Sequence, residues 1–209
     1  ALAAMSGGCA SPGGDAHEER AAQLRAALVA EPGLPDLVRH ATLAANGHNT
    51  QPWRFVATTR GVDLLPDLAR RTPVVDPDDH HLFVSLGCAV ENLALAAAAR
   101  GRQASVSPPG PDGRISIELQ PAPRPAQEDP LFLAIPRRQS TRSVYDGSMV
   151  SNGMLRELEA AAQVEGVALR LLTSPGDRET VLGHVLRGND AQMDDPAFVA
   201  ELASWIRFS

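Results

Sequence analysis

The run from His81 to Arg100 restricts the fold more than any other feature, because Leu82, Phe83, Leu86, Val90, Leu93, Leu95 and the alanines 96 to 99 leave almost no polar face before Gly101 stops it. A helix that is apolar nearly all round has to be covered, so the run predicts a central buried helix. Its Gly87-Cys88-Ala89 stretch would let another backbone or a flat ligand come close. With 209 residues, 44% of them hydrophobic, the chain can supply that cover as one domain or two small ones. No apolar run is expected to reach the roughly 18 residues that a membrane-spanning helix needs.

Local signals place the remaining elements. Asp15 and Glu18 make a capping-box-like start to a helix of about four turns. A second helix is predicted from Pro35 to Asn46-Gly47, with Gly47 as its left-handed C-cap. Arg54 to Thr58 and Val62 to Leu65 read as strands around a turn at Arg60-Gly61, and Gln103 to Ser107 with Arg114 to Leu119 as a hairpin around Pro108 to Gly113. Pro121 to Asp129 is rich in proline and poor in large apolar residues, which reads as a linker and puts a domain boundary near residue 125. Beyond it are predicted a helix over Leu131 to Arg137, a helix from Ser151 to Glu165, a strand from Val167 to Leu172, a helix capped by Ser174-Pro175 and a last one opened by Asp195-Pro196.

Composition removes several function classes. All 19 basic side chains are arginine, so there is no lysine for a pyridoxal phosphate Schiff base or for a P-loop. A net charge of -6 gives no electrostatic footprint for nucleic acid. Cys9 and Cys88 are the only cysteines, too few for a disulfide framework or a multi-thiolate metal site. Asp76-Pro77-Asp78-Asp79-His80-His81 carries ligand-type side chains, but adjacent histidines diverge and the run precedes a helix N-terminus, where Asp is favoured electrostatically; no metal is assigned there. Cys88 reads as a small core residue, since the sequence places no matching base beside it. At the N-terminus, Ala1 to Met5 followed by Ser6-Gly7-Gly8-Cys9 reads either as the remnant of an export signal with Cys9 as a lipid site, or as a linker. Location therefore stays open between the cytoplasm and the cell envelope.

Two polar clusters are the candidates for chemistry. Asn46-Gly47-His48-Asn49-Thr50-Gln51-Pro52-Trp53 puts side-chain amides at i and i+2 in a loop ahead of Pro-Trp, where they would present donors and acceptors to a flat heterocycle while Trp53 packs beneath. The same residues also read as an ordinary Asn/Gly turn. In Arg137-Arg138-Gln139-Ser140-Thr141-Arg142, an extended segment would turn Arg138, Ser140 and Arg142 to one side, giving two guanidinium forks and a hydroxyl for a phosphate. A solvated basic patch is the alternative. Tyr145 follows, either near a ligand or as a loop anchor.

Together the clusters resemble a known family. Asn49-x-Gln51-Pro52-Trp53 is similar to the N-x-Q-P-W loop of the nitroreductase family, flavoproteins that bind FMN, and Arg138-x-Ser140-x-Arg142 resembles the R-x-S-x-R segment with which that family holds the FMN phosphate. Arg71-Thr72-Pro73 through Asp76-Pro77, then Ser85-x-Gly87-Cys88-Ala89 and the alanine-rich helix to Gly101, resemble the Acg-like branch, in which two nitroreductase-like repeats share one chain. The resemblance covers roughly residues 34 to 147. In ordinary members the arginine segment comes first, whereas here it follows the loop, as expected if it opens a second repeat.

The resemblance implies an α+β, nitroreductase-like fold, a mostly antiparallel sheet flanked by helices around a central buried helix, in tandem repeat. Residues 1–15 would be signal remnant or linker, 16–125 the first repeat, and 126–209 the start of a second, incomplete repeat. FMN would be held by Asn46, His48, Asn49 and Gln51 at the ring and by Arg138, Ser140 and Arg142 at the phosphate. The implied activity passes hydride from NAD(P)H through the flavin to a nitroaromatic, quinone or similar acceptor, in a pseudo-dimer within the chain or a homodimer; the alternative is an FMN-binding protein that stores or sequesters the cofactor. No catalytic side chain is assigned, because a flavin carries the hard chemistry itself. Two departures stand out. Ala45-Asn46 replaces the Pro-Ser that usually opens the ring loop, and the first repeat has no R-x-S-x-R of its own.

Overall fold

The structure, a computed structural model, describes residues 12–141 and 143–206, with side chains from residue 18 onward. The N-terminal reading around Cys9 and the phosphate assignment of Arg142 lie outside the described residues. The chain divides into two compact units, one made of residues 1–139 with 204–209 and the other of residues 140–203.

The first unit is α+β. Its elements in chain order are α1 (Pro12–Arg25), α2 (Leu34–Ala41), β1 (Trp53–Ala57), β2 (Gly61–Pro66), α3 (His80–Ala98), β3 (Arg102–Val106), β4 (Ile115–Pro121) and α4 (Pro130–Ala134). The four strands form one antiparallel sheet in the order β1-β2-β4-β3, so both predicted hairpins are present and are joined through β2 and β4. Alternation selects the buried face. Val62 and Leu64 of β2 and Ile115 and Ile117 of β4 point into the core, while Asp63 and Ser116 between them are half-buried and hydrogen-bonded to each other at 2.8 Å. The second strand can lie this close to the fourth only because Gly61 has no side chain: a Cβ there would meet the Ile117 carbonyl oxygen at 2.1 Å.

Helix α3 packs on β2, β3 and α2 and carries the core as its composition requires. Leu82, Ser85, Leu86, Ala89, Leu93, Ala96 and Ala97 are buried, and Gly101, at φ +71°, turns the chain back into β3. Burial is nevertheless one-sided, which corrects the all-round expectation. Phe83 and Val84 are 39% and 51% exposed, and a Cβ on Gly87 would meet nothing within 4 Å. The 19 residues of α3 are also long and apolar enough to cross a membrane, contrary to the expectation that no run would be. Its buried face against the sheet makes it the core helix of this unit.

Boundaries differ where local signals compete. Helix α1 begins at Pro12, ahead of the predicted cap at Asp15, since proline suits the first helical turn. Helix α2 stops at Ala41, where the Thr42 hydroxyl and amide take the last carbonyls, so Gly47 is not its cap and instead opens a single 3₁₀ turn, Gly47–Asn49. Helix α4 ends at Ala134, short of Arg137.

The second unit is helical among its described residues, with α5 (Asn152–Ala161), α6 (Pro175–Met193) and most of α7 (Pro196–Trp205). Ser151, Ser174 and Asp195 each accept a backbone amide at the start of the helix that follows, as predicted. The predicted strand from Val167 to Leu172 is irregular instead, with no ladder partner among the described residues. An apolar alternation has nothing to stabilise it as a strand until another strand takes its backbone groups.

Candidate functional site

The loop between α2 and β1 is held in an unusual backbone. His48, Asn49 and Gln51 all have positive φ, at 47°, 56° and 51°. Histidine and asparagine are among the side chains that visit this region most readily, yet each such residue costs on the order of 1–3 kcal/mol and persists only when its surroundings over-determine it. Those surroundings are visible. The Asn46 side chain closes the loop on itself, its Oδ1 accepting from the Gln51 amide at 2.8 Å and its Nδ2 donating to the Ala44 carbonyl at 3.1 Å. From α3, the buried Ser85 hydroxyl accepts from the Gly47 amide at 3.3 Å while donating to the His81 carbonyl at 2.7 Å. From the 3₁₀ turn Leu68–Arg70, which follows β2, Arg70 donates to the Thr50 carbonyl at 2.8 Å and pairs with Asp67 at 3.4 Å.

Underneath, the loop is filled. Thr50, Pro52 and Trp53 are buried, and the gap bounded by Gly47, Thr50, Arg70 and Ser85 has a volume of about 10 Å³, too small for any ligand. The Asn49 and Gln51 side chains face outward and make no hydrogen bond among the described residues. A ligand of this loop therefore meets its outer surface, where two primary amides offer donors and acceptors two residues apart. Asn46 and His48 are half-buried, and both amide atoms of Asn46 are already engaged within the loop.

The arginine segment is divided between the units. Arg138 belongs to the first, where its guanidinium donates to the Leu43 carbonyl at 3.0 Å, just ahead of Asn46. Arg25 fixes the same turn from α1, donating to the Pro136 and Arg138 carbonyls at 2.7 and 3.0 Å. Arg137 turns back to the Leu133 carbonyl at 3.0 Å. Ser140 opens the second unit and is exposed, as is Tyr145.

Other candidates resolve into structure. The buried carboxylate of Asp76 accepts the His81 and Leu82 amides at 3.0 Å each and so caps α3, and Asp79 takes a two-pronged ion pair from Arg71. Among the described residues no group of three His, Cys, Asp or Glu stands close enough to hold a metal ion. His40 of α2 is fully buried, stacked on Phe132 of α4 with ring centroids 6.0 Å apart, and its Nε2 has no hydrogen-bond partner among the described residues. Burial pushes its pKa below the ordinary value, and neighbouring Arg39 adds to the effect. Sequence reasoning missed His40, Arg25 and Arg70, because each acts on a residue far along the chain and carries no local signature.

No family model matches the chain. It is 30% identical over 171 residues to "Putative NAD(P)H nitroreductase Rv3131" of Mycobacterium tuberculosis (strain ATCC 25618 / H37Rv), an alignment that takes in 79% of the chain and 48% of that relative. A second protein of the same organism, "Uncharacterized protein Rv3127", is 27% identical over 181 residues, with 82% of the chain and 52% of the relative covered. The chain thus spans about half the length of the curated relatives it matches. An antiparallel α+β unit of this kind is compatible with the nitroreductase-like fold, and the distant homology supports a place for this chain in the nitroreductase family.

Proposed function

We propose that the chain is part of an FMN-dependent oxidoreductase of nitroreductase type, which passes hydride from NAD(P)H to a nitroaromatic, quinone or similar acceptor. The observation that carries this reading is the loop Asn46–Trp53, whose strained backbone is braced from three sides while the amides of Asn49 and Gln51 stay outward and uncommitted among the described residues. Such a pair fits the edge of a flavin ring, which alternates acceptors and donors. When bound, FMN would supply the two-electron chemistry, and the protein would supply binding, orientation and hydrogen bonds to the ring. Asn49 and Gln51 would hold the ring, with His48 alongside, and Asn46 would keep the loop in shape. Arg138, Ser140 and Arg142 would meet the phosphate through charge-assisted hydrogen bonds. For Arg138 that requires exchanging the Leu43 carbonyl for the stronger anionic acceptor.

On the same reading the chain is of the Acg-like, tandem kind, with a first repeat over 16–125 and a second from 126 onward that would contribute the arginine segment. The test is spectroscopic. Purified protein titrated with FMN should quench the flavin's fluorescence and take it through a desalting column, and anaerobic NADH or NADPH should then bleach the bound flavin's visible band. FMN that passes through unretained would refute the reading. Retained FMN that neither nucleotide bleaches would replace the enzyme by a protein that stores the cofactor.

A further inference from the structure

We propose that Arg70 and Ser85 are positioning residues for the amide loop, two side chains from outside it that hold its strained backbone so that Asn49 and Gln51 present their amides together. The inference rests on the flavin reading for what the loop binds, but not for how the loop is held. Three positive-φ side chains within four positions will not persist on local preference alone. Asn46 supplies one restraint from within the loop. The other two come from distant elements, and each acts at a different point.

Ser85 holds the entrance. Its hydroxyl is buried in α3 and directed by its donation to the His81 carbonyl, which leaves an oxygen lone pair for the Gly47 amide. Arg70 holds the centre. Its guanidinium meets the Thr50 carbonyl, which belongs to the peptide group joining Thr50 to Gln51, so it fixes the orientation of the one residue that separates the two presented amides. Asp67 steadies the guanidinium in turn, and the Asp67 amide donates to the Pro52 carbonyl at 3.0 Å, which ties the Arg70-bearing turn to the loop's exit. Neither side chain need touch the ligand, and each acts through the backbone it holds.

The experiment compares wild type, Arg70→Ala, Arg70→Lys and Ser85→Ala in the full chain by backbone amide exchange without ligand, and by titration with FMN and with riboflavin, which has the ring but no phosphate. In Arg70→Ala and Ser85→Ala the amides of residues 47–51 and of Trp53 should exchange about fivefold faster, the scale of one net hydrogen bond, while those of β2 and β4 stay unchanged. Affinity for FMN and for riboflavin should fall by the same factor, because only the ring contacts loosen, and Arg70→Lys, which keeps a charged donor, should recover part of both losses. Unchanged exchange in the loop would overturn the proposal, as would faster exchange with undiminished affinity. Loss of FMN affinity alone, with riboflavin unaffected, would also overturn it by making Arg70 a phosphate ligand. If the wild type binds neither flavin, the flavin reading fails, and the loop exchange alone then decides whether these residues hold the loop.

Discussion

The two units of this chain reach their helices by different routes. In the first, the interior dictates the fold: Leu37, Leu64, Leu86, Leu93 and Ile117 are buried completely or nearly so, and helices and sheet converge on them. In the second, Phe198 is the one described side chain that is buried, while Val181, Leu182, Val185 and Leu186 along α6 are all more than 40% exposed. Its helices are defined at their ends, by Ser151, Ser174 and Asp195, rather than along a packed face. Capping and propensity are enough to mark a helix, but packing supplies most of the stability that a helix has in a protein.

The contrast can be broken by one pair of truncations. Leu93→Ala empties a fully buried site between α3 and the rest of the core and should cost about 2–5 kcal/mol in denaturant unfolding of the first unit. Leu182→Ala removes the same atoms from a side chain that is 55% exposed and should change stability by less than about 0.5 kcal/mol. Comparable losses at both positions would show that the second unit is packed as tightly as the first. Gly61→Ala comes next in size. The added methyl would overlap a backbone carbonyl that cannot swing aside, so β2 and β4 must separate, at a cost on the order of 1–3 kcal/mol, and amide exchange in β2 should show it.

How much of this was legible in the sequence follows the same division. Both hairpins and the core helix were readable because alternation, turn residues and an unbroken apolar run are local patterns. The caps of α5, α6 and α7 were readable for the same reason. The one-sided exposure of α3 was not, since composition fixes what a helix is able to bury but not what is present to cover it. At the candidate site, the motif marked Asn49 and Gln51, and the structure leaves their amides facing outward. What holds them there was hidden: Arg70 and Ser85 reach the loop from 20 and 38 residues away, and no spacing rule connects such pairs. The strand expected over Val167 to Leu172 shows the converse, a local pattern that gains meaning only from a neighbour.

A pH titration sharpens the comparison from the side of the first unit. His40 is neutral when buried between α2 and α4, with its pKa held below the ordinary value of about 6.5 mainly by burial. Around it stand Asp36 and Arg39 on its own helix and Arg100 from the end of α3, which lies 5.1 Å from the centre of the Phe132 ring and pairs with Glu128. A base whose folded pKa is lowered contributes stability that is present above the unfolded pKa and is lost as pH falls toward the folded one. Acidification below about pH 6.5 should therefore loosen α4, the element that leads into Arg138, while α5 and α6 respond less. In His40→Gln the acid-side slope should flatten, and an unchanged slope would assign it to other groups. Amide exchange at Leu133 and Ile135, read across the pH range, reports the change.

The smallest effect lies in the second unit and probes its end-defined helices. Ser174 is the N-cap of α6, its hydroxyl oxygen accepting from the Asp177 amide at 3.2 Å and its proton going to the Asp177 carboxylate at 2.8 Å. Substitution by alanine leaves the amide to water and removes the reciprocal contact, a change of about 1 kcal/mol at such positions. In a helix packed along its length, that loss would be spread over the tertiary contacts and register as a shift of the whole transition. Helix α6 has no buried side chain to share it, so Ser174→Ala should fray the first turns around Asp177 and Thr180 and leave the unfolding of the first unit where it was. Ser174→Asp, which keeps an acceptor at the cap, should restore the protection. A global shift in Ser174→Ala would mean that α6 is coupled to the core after all, and the contrast between the two units would then be one of degree.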